Sequence, residues 1–390
     1  MKKGWERKKL KDILTVQNGY AFNSKCFNPT NGIPLIRIRS LKRGVETETR
    51  YEGDYDGKFI VNAGDLLIGM DGEFGCYEWK GEPSLLNQRV CRLQGFSDEL
   101  TPKFLFYGVN DYLKAIEDVT GYTTVKHLSS KQILGIEFPV PPLAEQQRIV
   151  GILDEAFAGL ATAKAKAEQN LQNARALFES HLQSVFSQRG EGWVDRRFGD
   201  VCGFVRGPFG GSLKKSMFVE KGYAVYEQQH AIYNQFSNIR YFIDGNKFNE
   251  MKRFELRPRD VIMSCSGTMG RVAVVPDEIK AGIINQALLK LTPQAGVLSE
   301  FLKFWMSSEA FQDALKKHSG GAAIQNVASV KILKEINVPL PTETEQENII
   351  QNVLSFQKET QRLAAIYERK LAALEDLKRS LLHQAFNGEL

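Results

Sequence analysis

The sequence predicts an α+β protein, two pseudo-symmetric mixed α/β domains separated by two long antiparallel coiled-coil helices. The first observation behind this is a repeat. FPVPPLAEQQRIV at 138–150 returns as VPLPTETEQENII at 338–350, so Pro139, Pro141, Glu145, Gln146 and Ile149 recur as Pro339, Pro341, Glu345, Gln346 and Ile349, each 200 positions later. The second is that each copy opens a stretch with apolar residues at steps of three and four, the spacing of a coiled-coil seam. The third is that the segments before the helices also repeat, but at offsets that drift.

In both copies a strand-like run ends in alternating prolines, which read as a hinge, and an acidic, Gln-rich first turn then opens the helix. The first seam threads Ile149, Leu153, Ala156, Leu160, Ala163, Ala167, Leu171, Ala174, Phe178, His181 and Val185. Adding 200 keeps the period through Ile349, Val353 and Phe356 to Ala385, with only Thr360 and Lys378 polar. Each helix shows one apolar stripe, and packing the two together buries both. From 149 to 185 the rise is roughly 54 Å at 1.5 Å per residue, which suits a spacer. Laid antiparallel, the helices return the end of the second unit to the start of the first, an expected pseudo-twofold ring.

Upstream, GWERKKLKDI at 4–13 matches GWVDRRFGDV at 192–201, an offset of 188. GDLLIGMDGEFG at 64–75 matches RDVIMSCSGTMG at 259–270, an offset of 195, and Asn87-Gln88 falls on Asn285-Gln286. The globular lengths therefore differ by about a dozen residues while the helices allow no insertion. Short apolar runs such as 33–38, 66–70, 89–93, 261–265 and 287–291, separated by Gly, Asn and Asp turns, predict an irregular sheet in each domain. Residues 101–119 and 299–318 each predict one amphipathic helix with a Thr or Ser N-cap. Expected boundaries are 1–142 for the first domain, 143–190 for its helix, 191–341 for the second domain and 342–390 for the last helix.

Composition bounds the function. A chain of 390 residues suits two or three domains. No run of about eighteen apolar residues is present to span a bilayer and no secretion signal opens the chain, so a cytoplasmic protein without a membrane partner is expected. The cysteines are five, scattered and without a CxxC pair, which suggests neither a disulfide framework nor a zinc site. Catalytic constellations are missing. GPFGGSLKKS at 207–216 lacks phosphate-loop spacing, no GxGxxG opens a helix after a strand, and PDEIK at 276–280 is too compact to wrap a metal ion. The chain is expected to be a non-catalytic protein with no cofactor of its own.

Basic and amide side chains cluster at one strand end in each domain. RIRSLKRG at 37–44 supplies Arg37, Arg39, Lys42 and Arg43, and YEQQHAIYN at 226–234 supplies Gln228, Gln229 and His230. Arginine reads guanine, and Gln or Asn reads adenine, through paired hydrogen bonds in the major groove, so these side chains suit double-stranded DNA. Tyr122, Thr123 and Lys126 in one polar loop, Gln325 and Asn326 in its counterpart, and Arg206, Lys214 and Lys215 join the candidate DNA-binding set. Lys252, Arg253, Arg257, Arg259 and Arg271 could neutralise phosphates.

Two divergent domains, each ending in a Pro-x-Pro hinge with Glu-Gln opening a long helix, resemble the specificity subunit of type I restriction-modification systems. The resemblance spans essentially the whole chain and is sharpest in PVPPLAEQQRI, PLPTETEQENI and the strand-end GxP/GY and Asn-Gln segments. TETEQ stands where the first copy has PLAEQ. The resemblance implies two target recognition domains, each reading half of a split DNA sequence, with the helices as a ruler. It further implies two adenine-methyltransferase subunits and two restriction subunits that carry S-adenosylmethionine, ATP and Mg. The expected partner-binding residues are Pro139, Pro141, Glu145, Gln146, Pro339, Pro341, Glu345 and Gln346. A two-headed coiled-coil adaptor for proteins explains the repeat and the spacer, but it gives no reason for Arg- and Gln-bearing loops in both heads.

Overall fold

The computed structural model describes residues 4–42, 44, 47–120, 126–209, 211–317 and 329–390. The chain forms two compact units, Met1–Ala167 with Arg369–Leu390, and Glu168–Glu368. The first contains β1 (Glu6–Lys9), β2 (Thr15–Asn18), β3 (Ile33–Ile36), α1 (Ile38–Leu41), β4 (Leu66–Gly69), β5 (Cys76–Glu78), β6 (Ser84–Leu86), β7 (Val90–Gln94), α2 (Pro102–Val119), β8 (Glu137–Val140) and the N-terminal part of the long α3 (Leu143–Ser187). The second repeats the order with β9 (Val194–Arg197), β10 (Cys202–Arg206), β11 (Tyr223–Tyr226), α4 (Gln228–Tyr233), β12 (Val261–Ser264), β13 (Val272–Val274), β14 (Gly282–Ile284), β15 (Leu288–Pro293), α5 (Ser299–Ser307), α6 (Glu309–Lys317), β16 (Asn337–Leu340) and the N-terminal part of α7 (Glu343–Asn387).

Topology repeats as well. An antiparallel sheet runs β2-β7-β4-β5 in one unit and β10-β15-β12-β13 in the other. A second sheet holds a parallel pair, β3 with β6 and β11 with β14. The strands entering and leaving each unit form a two-stranded ladder, β1 with β8 and β9 with β16. Pro139 and Pro339 lie within those ladders, opposite Arg7 and Asp195. They continue the pairing that prolines were expected to end, because an edge strand leaves one side free of ladder bonds.

The core of the first unit gathers Trp5, Leu10, Phe104, Phe138, Ile149 and Leu153 around Phe386 from the last helix. Phe386 lies against Gly108, where a Cβ would sit 2.3 Å from the ring, so only glycine fits. The second core uses Phe186, Phe198, Phe301, Trp305 and Phe311. Residues 299–318, expected as one helix, break at Ser308, whose backbone is extended and whose hydroxyl donates to Trp305 O. Ser299 is the first helical residue rather than the cap, and its hydroxyl donates to Arg259 O at 2.5 Å.

The long helices pack antiparallel in both units. In the first, Lys164 pairs with Glu375 at 2.7 Å, and Lys378 lies over the Phe157 ring. In the second, Arg175 pairs with Glu368, and His181 stacks on Phe356 with centroids 4.2 Å apart. The two polar interruptions of the stripe are thereby explained. Thr360 is buried and returns its hydroxyl to Phe356 O and Gln357 O of its own helix, while the Lys378 ammonium uses an aromatic face. Among the described residues no helix is long and apolar enough to cross a membrane, and no His, Cys, Asp and Glu group could hold a metal ion.

Candidate nucleic-acid interface

Each unit builds the same corner. The parallel strands β3 and β6 end side by side, so the first turn of α1 stands beside Asn87; β11 and β14 do the same for α4 and Asn285. Gly19 follows β2, and its amide donates to Val90 O at 3.0 Å; Gly207 follows β10 and donates to Leu288 O at 2.9 Å. A Cβ on Gly19 would sit 2.1 Å from Asn87 O, and one on Gly207 1.8 Å from Asn285 O, which fixes glycine at both places. The turn after β4 joins the corner through Met70 N to Arg89 O, and the turn after β12 through Cys265 N to Ala287 O. Glycine loop, short-helix start, Asn-Gln corner and hairpin turn thus form one rim in each unit.

The rims differ in what they present. Arg37, Arg39 and Lys42 are exposed on the first, with Lys42 paired to Glu73. Glu227 and Gln229 stand where Arg37 and Arg39 do. Lys214 and Lys215 are exposed beyond the second glycine loop, and Arg206 is half-buried at the end of β10. Phe209 in that loop is 88% exposed, and Tyr233 at the end of α4 is 76% exposed. Arg253 and Arg271 are exposed on the second unit. Lys252 and Arg257 share Glu255, whose carboxyl these cations hold below the usual glutamate range against the opposing effect of its burial. Arg43, Tyr122, Thr123, Gln325 and Asn326 lie outside the described residues.

Several expected contact residues serve the fold instead. His230 is fully buried, with its ring bonding the Glu227 backbone and facing Asn238 O at 3.1 Å, so it cannot meet a base. It takes the place of Ser40, which closes the same capping box in the first unit. Gln228 is half-buried and its Oε1 is enclosed without a partner. Lys126 donates to Glu117 O at 2.8 Å and so ties the strand-side end of its loop to α2.

The hinge residues expected to bind a partner are also spoken for. Pro139, Pro141, Pro339 and Pro341 are buried. Gln146 is fully buried, its Oε1 accepting from Thr101 N and Oγ1 and its Nε2 donating to Glu99 O and Pro141 O. Gln346 repeats this with Leu298 N, Gly296 O and Pro341 O. Each glutamine staples the start of a long helix to the loop before α2 or α5. Glu145 is forked by Arg148, and Glu345 accepts from Trp193 Nε1 at 2.6 Å. Six of these eight residues are buried, and the other two, Glu145 and Glu345, are half-buried with their carboxylates bonded within their own unit.

Sequence reasoning did not single out Lys58, Gln88 or Gln286 as candidate site residues. The repeated Asn-Gln pair was the available signal. Each glutamine is exposed at the apex of the corner. Lys58 sits on a 3-10 turn equivalent to the one carrying Arg253. Both turns are held down by a cation from the central strand. Arg92 donates to Lys58 O and Ile60 O, and Lys290 donates to Glu255 O at 2.7 Å. Burial pushes the Lys290 ammonium below the usual lysine value.

A sequence profile described as the type I restriction modification DNA specificity domain matches residues 2–172 and 190–369. The chain belongs to that family. The EcoBI specificity subunit of Escherichia coli is 29% identical over 99% of this chain and 86% of its own length. The MjaVIII specificity subunit of Methanocaldococcus jannaschii is 21% identical over 92% of this chain and 86% of its own. Among solved structures, a chain from a study of complex assembly and conformational transition of the type I R-M system matches with a TM-score of 0.80 at 19% identity, covering 100% of this chain and 99% of that one. The HsdS subunit from Thermoanaerobacter tengcongensis matches with a TM-score of 0.61 at 18% identity, covering 100% and 98%. The duplicated fold of this family member is therefore that of specificity subunits, and its role is DNA specificity rather than catalysis.

Proposed function

We propose that each rim reads one half of a bipartite duplex target and that α3 and α7 set the distance between the halves. The observation that carries this is the repeat of one rim geometry with different hydrogen-bonding groups, Arg37 and Arg39 on one copy and Glu227 and Gln229 on the other. A scaffold of fixed geometry with changed hydrogen-bonding groups is what two different base sequences require. Fixed helix length follows, since a slip of one base pair rotates one half-site by about 36° relative to the other.

The chemistry belongs to partners. Two adenine-methyltransferase subunits with S-adenosylmethionine and two ATP- and Mg-dependent restriction subunits fit the family, in the cytoplasm where the DNA lies. With the hinge glutamines and prolines buried, docking falls to the exposed helix surface. Leu177 and Leu377 are identical at the 200-residue repeat and each is 48% exposed. A partner used twice must meet the same surface twice, and these leucines meet that condition. The test of the DNA role is competition binding of the chain assembled with its methyltransferase. Preference for a split target over scrambled duplex supports it, and equal binding of both favours a protein adaptor.

A further inference from the structure

Two surfaces that read different bases still share one feature of their ligand, the sugar–phosphate backbone. A rim residue present in both units cannot carry the difference between half-sites, so it is the natural place to look for contacts to what is constant. Around the corner most fully or partly exposed positions differ between the units: Arg37 against Glu227, Arg39 against Gln229, Arg89 against Ala287, and Asp71 against Ser266. Gln88 and Gln286 do not.

Both glutamines are exposed, and neither side chain bonds a neighbour among the described residues. Their backbone is nevertheless fixed. Gln88 N donates to Tyr20 O at 2.9 Å, and Val90 N to Asn87 O at 3.0 Å. In the second unit Leu288 N donates to Asn285 O at 3.2 Å, and Ala287 N to Asn285 Oδ1 at 3.0 Å. A free amide on a rigid corner loses little entropy beyond its own rotamers when it binds. A cation accompanies it in both units. The 3-10 turn that carries Lys58 runs into the strand in which Ile60 pairs with Leu85, two residues before Asn87, and the turn that carries Arg253 runs into the bridge between Glu255 and Ile283, two residues before Asn285, so each cation lies on the turn beside the strand that ends at the corner. Lys58 pairs with Asp56 at 2.8 Å, but both side chains are more than half exposed, so phosphate can compete for the ammonium.

We infer that Gln88 with Lys58, and Gln286 with Arg253, form two equivalent clamps on the sugar–phosphate backbone that seat each rim at the same depth on the duplex whatever its bases. This rests on the DNA reading proposed above. The two members are separable in solution. A phosphate contact by Lys or Arg releases a counterion and contributes to the salt dependence of binding, whereas a neutral amide contributes affinity without it.

The experiment measures equilibrium binding of the assembled methyltransferase complex to the split target found by methylation mapping and to a scrambled duplex, across a salt series. Gln88→Ala and Gln286→Ala should each weaken both duplexes alike, by about 3- to 10-fold, with the salt slope unchanged. Gln286→Glu should weaken both further, because it sets a carboxylate against phosphate. Lys58→Ala and Arg253→Ala should each lower the slope by about one. A loss confined to the split target would mean base readout and would overturn the inference. Unchanged DNA binding would overturn it too, as would lost co-elution with the methyltransferase as the only defect. Wild-type complex that binds no duplex would overturn the DNA reading itself, whereas wild-type binding with indifferent variants overturns the clamps alone.

Discussion

Arg259 occupies, at φ +67°, the turn position that Gly64 occupies at φ +95° in the first unit. The two turns are otherwise alike. Asn62 N and Arg257 N each donate at 2.9 Å to an aspartate three residues on, Asp65 and Asp260. A left-handed conformation costs a residue with a Cβ roughly 1–2 kcal/mol, and the exposed ion pair of Arg259 with Asp277 returns little of it. Arg259→Gly should therefore raise stability, by about 0.5–1 kcal/mol after the glycine's own chain entropy is counted. Chemical denaturation measures this, and a lower midpoint would give the ion pair more weight than its exposure allows.

The hinge glutamines are predicted to be structural. Gln146→Ala removes the partner of four polar groups in a buried place and should destabilise the first unit by about 2–3 kcal/mol. Thermal melting checks the loss, and co-purification below the lowered midpoint should show the methyltransferase still bound.

Docking is predicted to respond to the exposed helix surface instead. Leu177→Asp and Leu377→Asp should leave melting within about 0.5 kcal/mol, as expected of exposed sites, while each weakens assembly with the methyltransferase. Analytical gel filtration of the double variant separates the cases. Intact assembly would place the docking surface elsewhere.

Glu117 gives a pH dependence. Its hydrogen bond to the Lys114 ammonium, together with the bond it accepts from Phe74 N, holds its carboxyl below the usual glutamate range. A depressed carboxyl contributes stability that is present above its unfolded value and is lost as pH falls through the folded value. Glu117→Gln should cost about 1 kcal/mol at pH 7, and the difference from wild type should shrink as the pH falls from 7 into acid through the depressed carboxyl value. An equal cost at both ends of that range would assign the loss to packing.

The thiols offer a check on the cores. Burial pushes Cys91 up to about 12 and Cys265 to about 11, and raises Cys76 and Cys202 as well. Only Cys26 is partly exposed, so alkylation of the native protein at pH 8 should label one of the five cysteines.

Much of the architecture was legible because it is written twice. The helical period placed the seam, and the fixed offset of Gln146 to Gln346 marked the hinge. What the sequence could not show was direction. Gln146, Gln346 and His230 look like surface polar residues until the fold turns them inward, and an identical pair at a repeat reads equally well as a staple or as a docking contact. Gln88 was noted as part of a repeat, but its place on the surface was not legible. Its exposure depends on Gly19 and Asn87 meeting across the sheet, a contact between residues 68 positions apart. Conversely, Ser308 ends a helix that its periodicity would have continued, because its extended backbone lets the Trp305 and Phe311 rings pack 4.8 Å apart.

The most direct test of the bipartite reader is methylation mapping in cells that express the methyltransferase with this chain or with a chimera carrying another specificity subunit's domain in place of residues 193–337. The predicted result is a split motif with a fixed gap for the parent, and for the chimera a change in one half alone with the gap unaltered. A single contiguous motif, or a chimera with both halves or the gap changed, would contradict it.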